Sequence, residues 1–187
     1  MIALAATVKH FLDYHRISYR VLNHERTLSL AMAASLLEIE PSHIIKAVLL
    51  QDSLGYVLAV LPLNYQMDLL RLSQQLDRRL NIVPEKECDK LFKDCEPGIR
   101  PPFGEAYGVP LILDKSIEKL SMLYLEAGSH TALIQLSSED FRFLTSGMPI
   151  LSFGYQEGQP EAAEDQREIV NGTKPWLKKL QNIFLPN

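Results

Sequence analysis

The sequence predicts an α+β fold, with a mixed, largely antiparallel sheet or barrel surrounded by helices. Apolar residues at helical spacing are interspersed along the chain with short runs of apolar strand-forming residues. The connections DSLG (52–55) and GSH (128–130) are so short that the strands they join must pair antiparallel. At 187 residues and 47% apolar content, the chain can build one domain with a sizeable core, but not two full domains.

The first third of the chain is predicted to form a helix, a strand and a second, short helix. Apolar residues recur at helical spacing across residues 4–12, and SYRVL (18–22) alternates as a strand does. A short helix through LAMAASLL (30–37) follows. Its cap is Thr27 or Ser29, because the hydroxyl of either residue can accept a free amide hydrogen of the first turn.

The middle of the chain is predicted to form a hairpin followed by two helices. IIKAVLLQ (44–51) and YVLAVLPL (56–63) are apolar strands on either side of a tight turn, and they are expected to be buried on much of both faces. Leucines at helical spacing in 69–76 predict the third helix. Pro84 suits the first turn of a fourth, which runs through EKECDKLF (85–92).

The last predicted elements are three strands and a helix. VPLILD (109–114), SMLYLEAG (121–128) and TALIQLS (131–137) are typical of strands. The sequence SSED then predicts a capping box, in which Ser137 caps a helix and Asp140 reaches back. We expect one folded domain over residues 1–153.

The remaining residues, 154–187, are predicted to be a polar C-terminal tail or linker. Leaving this tail out of the charge count does not reveal a basic domain. Residues 1–153 alone carry 15 basic and 18 acidic side chains, and the whole chain has a net charge of −4. This balance argues against broad, sequence-independent binding of nucleic acid, which requires many phosphate contacts, but it allows a pocket for one nucleic-acid end.

Several classes of protein are excluded by missing patterns. No apolar run approaches the roughly 20 residues that span a bilayer, which predicts a cytoplasmic protein without membrane contact. Cys88 and Cys95 lack the neighbours of a zinc site or a disulfide framework. Since HExxH, P-loop, GxSxG and GxGxxG patterns are also absent, we expect neither a metal nor a cofactor.

The segment CEPGIRPPFGEAYG (95–108) contains three of the nine glycines and three of the eleven prolines. Proline restricts φ and glycine permits conformations that other residues avoid, so the path of this loop is set by covalent geometry. One interpretation is a tight connection between two strands. The other is a rigid loop that lines a binding site.

Lys46 lies inside an apolar strand, between two isoleucines and a run of valine and leucine. Burying an unpaired ammonium is costly, so this side chain either extends to solvent from an edge strand or faces a specific partner. In the second case the ammonium is suited to a phosphate or to a developing oxyanion.

The turn EAGSHT (126–131) offers a second group of polar atoms. Gly128 permits a sharp reversal, and the Ser129 hydroxyl, the His130 imidazole and free amides could bind a carbonyl oxygen or water. A plain hairpin turn with an exposed histidine is the alternative. His24 ends the first strand and could face the same end of the sheet, although alone it is as consistent with a surface histidine.

Taken in order from about residue 5 to about residue 147, these segments resemble the YbaK/prolyl-tRNA-synthetase-associated domain, a family of aminoacyl-tRNA deacylases. The resemblance implies that Lys46 and His130 are catalytic. It implies a substrate pocket lined by the Gly/Pro loop and the turn, with contributions from His24. The implied loop and turn residues are Gly98, Pro102, Phe103, Gly104, Gly128 and Ser129.

The resemblance further implies a trans-editing hydrolase that deacylates tRNA mischarged with a small amino acid such as alanine or cysteine. Water or a ribose hydroxyl would be positioned at the ester, and the partner would be the acceptor end of aminoacyl-tRNA, with an aminoacyl-tRNA synthetase as a helper. Ala47 departs from the family pattern, which often has a hydroxyl or amide residue there. The alternative is therefore a non-catalytic module that senses aminoacyl-tRNA or a nucleotide within a larger regulatory protein.

Overall fold

The structure is a computed structural model and describes residues 4–156. Five helices and ten strands confirm the predicted α+β class. The helices are α1 (Ala6–Tyr14), α2 (Leu30–Leu36), α3 (Leu69–Leu76), α4 (Glu85–Leu91) and α5 (Ser138–Leu144). The strands are β1 (Arg20–Asn23), β2 (Ile44–Asp52), β3 (Gly55–Pro62), β4 (Gln66–Met67), β5 (Asn81–Ile82), β6 (Leu111–Asp114), β7 (Met122–Glu126), β8 (Ala132–Ser137), β9 (Ile150–Leu151) and β10 (Gly154–Tyr155).

Eight of these strands form one mixed sheet in the order β1-β8-β7-β2-β3-β6-β9, with β5 paired to β2. The predicted hairpins are present, since β2 pairs antiparallel with β3 and β7 with β8. Parallel ladders join β2 to β7, β3 to β6 and β6 to β9. Within residues 4–156 no ladder joins the outer strands β1 and β9, so the structure has a sheet rather than a hydrogen-bonded closed barrel.

The sheet is apolar on both sides over its central strands. The largest core cluster packs α1, α4 and α5 against one face and includes Val8, Phe92, Phe103 and Phe141. A second cluster packs α3 against the other face around Leu72 and Leu76. Two-sided burial explains why β2 and β3 are nearly continuous apolar runs, because a strand covered on both faces has no side that requires polar residues.

Hydrogen bonds from side chains determine where the helices begin. Ser29, rather than Thr27, caps α2 by accepting the amide hydrogen of Met32 at 3.3 Å. Ser137 caps α5 by accepting the amide hydrogen of Asp140 at 3.0 Å, as predicted. The Asp140 carboxylate does reach back, and it accepts the Ser137 hydroxyl hydrogen at 2.6 Å.

Four two-residue strands were not predicted, because two residues carry too little periodicity to be recognised. One of them, β10, pairs antiparallel with β4 and lies beyond residue 153, where the sequence predicts the domain to end. Residues 157–187, most of the predicted tail, lie outside the described residues. The division of the chain at this point stays a prediction.

Candidate functional site

A cleft of about 370 Å³ opens where β2 and β7 separate. Their parallel ladder pairs Ile44 with Tyr124 and Ile45 with Leu125, and then it stops. Lys46 and Glu126 are the next residues of the two strands, and both line the cleft. Of the sequence-predicted site residues, five line this same cleft: His24, Lys46, Gly98, Ser129 and His130.

Lys46 is half-buried, and its ammonium is held at one side of the cleft. Its Nζ donates to the backbone carbonyls of Leu63 at 3.1 Å and Tyr65 at 2.5 Å. Burial lowers the pKa of Lys46, because the low-dielectric surroundings disfavour the charged form. An ammonium has three donors, so one remains for a ligand in the cleft.

His130 is positioned by the loop that faces it. Its ring Nε2 lies 3.0 Å from the carbonyl oxygen of Pro97, and its backbone amide donates to the Glu96 carboxylate at 2.8 Å. A carbonyl oxygen can only accept, so Nε2 carries the hydrogen. In the neutral imidazole, Nδ1 is then left with the lone pair.

Glu96 connects this turn to the segment that follows β1. Its carboxylate accepts both the His130 amide hydrogen and Arg26 Nη1, the latter at 3.0 Å. The hydrogen bond from the amide and the neighbouring guanidinium keep the pKa of Glu96 below its usual range. The loop and the turn are therefore joined on the side of the cleft that carries the imidazole.

His24 directly follows β1 and lies beside the same turn, because its backbone amide donates to the Thr131 carbonyl at 2.9 Å. Its Nδ1 donates to the backbone carbonyl of Glu25 at 2.7 Å. Its Nε2 is buried and has no hydrogen-bond partner among residues 4–156. A buried acceptor without a partner favours a ligand donor at this point.

The Gly/Pro loop reaches the cleft only through its first part, which consists of Pro97, Gly98, Ile99 and Arg100. Gly98 has φ +84, a conformation that favours glycine, and its amide donates to Asp89 at 3.0 Å. The role predicted for this loop in substrate binding stays a prediction.

Pro102, Phe103 and Gly104 do not line the cleft. All three are buried, and the Phe103 ring lies 6.1 Å from that of Phe11 on α1. Gly128 is also absent from the lining: a Cβ there would lie 2.5 Å from the Cβ of Ala5, and its φ is +115. The structure places these four residues behind the cleft, where they hold the loop and the turn against α1 and the core.

Replacing Gly104 by alanine is expected to destabilise the protein, because the added Cβ would lie 2.3 Å from the carbonyl oxygen of Val109. Overpacking of this kind costs about 1–3 kcal/mol. Gly108→Ala is the comparison, since it adds a Cβ at φ +68 with no atom within 4 Å and so measures backbone strain without a steric contact. Urea denaturation should show the larger loss for Gly104→Ala, and unchanged stability of Gly104→Ala would contradict the prediction.

Glu126 and Arg100 are charged residues of the cleft that were not predicted from the sequence. Glu126 is buried, with 8% of its surface exposed, and its Oε2 accepts the amide hydrogen of Arg100 at 2.9 Å. The Nε of Arg100 is buried without a hydrogen-bond partner in the described part of the chain. An acidic residue at the end of the apolar run MLYLE was the available indication, but a glutamate ending a strand usually faces solvent.

Burial raises the pKa of Glu126, whereas the Arg100 amide and the nearby charges of Arg100 and His130 act in the opposite direction.

Within residues 4–156, no group of three or more histidine, cysteine, aspartate or glutamate side chains is arranged to hold a metal ion. The helices of the same part of the chain are also too short or too polar to cross a membrane.

The sheet order and the cleft at the β2–β7 separation define an α+β domain with a charged cleft where a parallel ladder ends. The family model of the aminoacyl-tRNA editing domain matches residues 24–144, which is more than half of the chain. This protein therefore belongs to the aminoacyl-tRNA editing domain family. No curated protein matches its sequence.

Solved structures share this fold at low sequence identity. Hypothetical protein APE2540 is similar with a TM-score of 0.71 and 20% identity, over 80% of this chain and 99% of its own. A candidate trans-editing enzyme for prolyl tRNA synthetase has a TM-score of 0.70 and 20% identity, over 81% of this chain and 96% of its own. A candidate signal transduction protein from Marinobacter aquaeolei VT8 has a TM-score of 0.66 and 24% identity, over 82% of this chain but 31% of its own.

Proposed function

We propose that this protein is a trans-editing hydrolase that removes a small amino acid, such as alanine or cysteine, from mischarged tRNA. The observation that carries the proposal is that the Lys46 ammonium and the His130 imidazole line one cleft with the backbone of Gly98. Its volume of about 370 Å³ is within the range of small-molecule sites and suits one aminoacyl-nucleoside end.

Lys46 is proposed to stabilise the negative charge that develops on the ester or on the adjoining sugar-phosphate. Two of its donors are occupied by the carbonyls of Leu63 and Tyr65, so the ammonium is held in place before the substrate arrives. A fixed donor costs no reorganisation during the reaction, and it acts strongly in a site from which water is excluded.

His130 is proposed to position the attacking oxygen. With Nε2–H donated to Pro97, the Nδ1 lone pair is free to accept a proton from water or from the neighbouring ribose hydroxyl. The water oxygen adds to the ester carbonyl carbon, and the ribose oxygen leaves and takes up a proton. The products are the free amino acid and the uncharged tRNA.

A covalent cysteine intermediate has no support in this structure. Cys95 is not part of the cleft lining, its thiol contacts the Tyr107 hydroxyl at 3.3 Å, and burial raises its pKa to about 12. Cys88 is buried, and its thiol contacts the Val83 carbonyl at 3.6 Å. Cys95 is therefore present as the unreactive thiol at neutral pH, and Cys88 is not part of the cleft lining.

A second candidate function is a non-catalytic module that senses aminoacyl-tRNA or a nucleotide. The observation in its favour is Ala47, a residue of the cleft lining whose side chain has no hydrogen-bond donor or acceptor. In addition, the similar signal transduction protein is much longer than the region of similarity, which covers 31% of that chain. In either case, a synthetase is proposed as the helper that delivers tRNA, because residues 1–153 carry more acidic than basic side chains.

The test is deacylation of a panel of mischarged tRNAs that carry alanine, cysteine, serine, valine or proline. We expect the wild-type protein to release the small amino acids faster than buffer does and to spare the larger ones. If every ester survives as long as in buffer while the tRNA still binds, the sensor function replaces the hydrolase. If tRNA neither binds nor reacts, both functions are wrong.

A further inference from the structure

Lys46 and Glu126 present opposite charges to the cleft from neighbouring strands. They follow the last paired residues of a parallel ladder, so both side chains lie on the same face of the sheet. Both line the cleft, yet within residues 4–156 no ion pair of 4.0 Å or less joins them. The cleft is therefore suited to a ligand that carries both an anionic and a cationic group.

Glu126 is an unusual residue at this place, because a buried carboxylate requires compensation. Its one hydrogen bond in the structure comes from the Arg100 backbone amide at 2.9 Å. A neutral acceptor would serve that amide equally well, so holding the loop does not explain why the side chain is an acid. A cation entering the cleft would add to the compensation that Arg100 and His130 supply, and it would favour the charged form that burial opposes.

We propose that Glu126 recognises the α-ammonium group of the aminoacyl ester. The inference rests on the proposed function for its substrate and adds a specificity residue to that site. The ammonium is the one cation common to every aminoacyl-tRNA, and peptidyl and formylated esters lack it. Glu126 would therefore restrict the cleft to esters with a free amine.

The test uses two ligands that cannot be hydrolysed: 3′-deoxy-3′-(alanylamino)adenosine and its N-acetyl derivative, with binding followed by calorimetry. We expect the wild-type protein to bind the free amine about 10- to 100-fold more tightly, the range of a hydrogen bond to a charged group. Glu126→Gln retains an acceptor for Arg100 and should bind both ligands with nearly equal affinity. Glu118→Gln, at an exposed glutamate, is the matched control and should retain the preference.

Three results would overturn the inference. They are equal affinity of the wild-type protein for the two ligands, failure of both ligands to bind, and an equal loss for both in Glu126→Gln, which would indicate a purely structural role. The first two results do not depend on whether the variant folds. Deacylation is measured separately, so a preference for the free amine without hydrolysis would contradict the proposed hydrolase and leave this inference standing.

Discussion

Replacing Lys46 by alanine is expected to slow deacylation about 30- to 1,000-fold, the equivalent of losing on the order of 2–4 kcal/mol of transition-state stabilisation. The reason is that the ammonium is half-buried, held by two backbone carbonyls and directed along the wall of the cleft. The measurement is kcat/KM for alanyl-tRNA, with a urea denaturation curve for each variant to confirm that it is folded.

Two further variants separate the charge from the packing. Lys46→Met keeps an unbranched apolar stem without the ammonium, so it should lose as much activity as Lys46→Ala if the charge is responsible. Lys119→Ala removes a lysine from an exposed position and should leave kcat/KM unchanged. Wild-type activity in Lys46→Met would show that the ammonium does not act on the ester.

Replacing Arg78 by alanine is expected to destabilise the protein by about 3–5 kcal/mol, because it leaves the Asp52 carboxylate buried without its partner. Arg78 Nε donates to Asp52 Oδ2 at 2.7 Å and Nη2 to Oδ1 at 2.5 Å, and the two side chains are only 6% and 7% exposed. Arg78 also donates to the Gly55 carbonyl at 3.3 Å, so it anchors the β2–β3 turn to the end of α3. The measurement is the free energy of unfolding in urea.

An exposed ion pair provides the control for the Arg78 prediction, and the stability that Arg78 supplies is expected to depend on pH. Lys9 and Asp13 form a pair that is 59% and 49% exposed, so Lys9→Ala should leave the urea midpoint nearly unchanged. The hydrogen bonds from Arg78 keep the pKa of Asp52 below its usual range, and the stability they supply is lost only as pH falls through that lowered pKa. A loss in Arg78→Ala no larger than in Lys9→Ala would contradict the prediction.

The unfolding free energy at acidic pH provides an independent test of the Arg78–Asp52 ion pair. In Arg78→Ala, Asp52 keeps the Leu54 amide hydrogen but loses the guanidinium, so only the wild-type protein has an ion pair to lose on acidification. The difference in unfolding free energy between the two proteins is therefore expected to be constant near neutral pH and to shrink as pH falls below the usual aspartate pKa of about 3.9. A difference that stays constant over this range would show that packing, and not charge, is responsible.

Much of the fold was predictable because it depends on local patterns. The six strands of four or more residues and the five helices are long enough for their periodicity to be recognised. Residues such as Ser29 and Ser137 cap helices through contacts only three positions away. Lys46 was recognisable because a cation within an apolar run is rare. The two-residue strands and the Arg78–Asp52 pair, which joins residues 26 positions apart, had no local pattern.

The candidate site residues also divide into those whose position the sequence indicated and those whose position it did not. His24, Lys46, Gly98, Ser129 and His130 were proposed together and do line one cavity, whereas Pro102, Phe103 and Gly104 were proposed with them and lie in the core. A rigid Gly/Pro loop has two sides, and the sequence does not tell which side faces a ligand and which faces the core. Glu126 was missed for the same reason, since its burial depends on strands that are distant in sequence.

The sequence by itself determined the types of the main elements, their order and the residues whose chemistry is unusual for their surroundings. Helical and strand periods and helix caps act over a few residues, so they are present in the sequence as local patterns. Only the tertiary structure decided that β2 lies beside β7, that their ladder ends before Lys46 and Glu126, and that these opposite charges remain unpaired across a cleft. Strand register and the packing of distant segments are set by the whole core at once, and no short stretch of sequence encodes them.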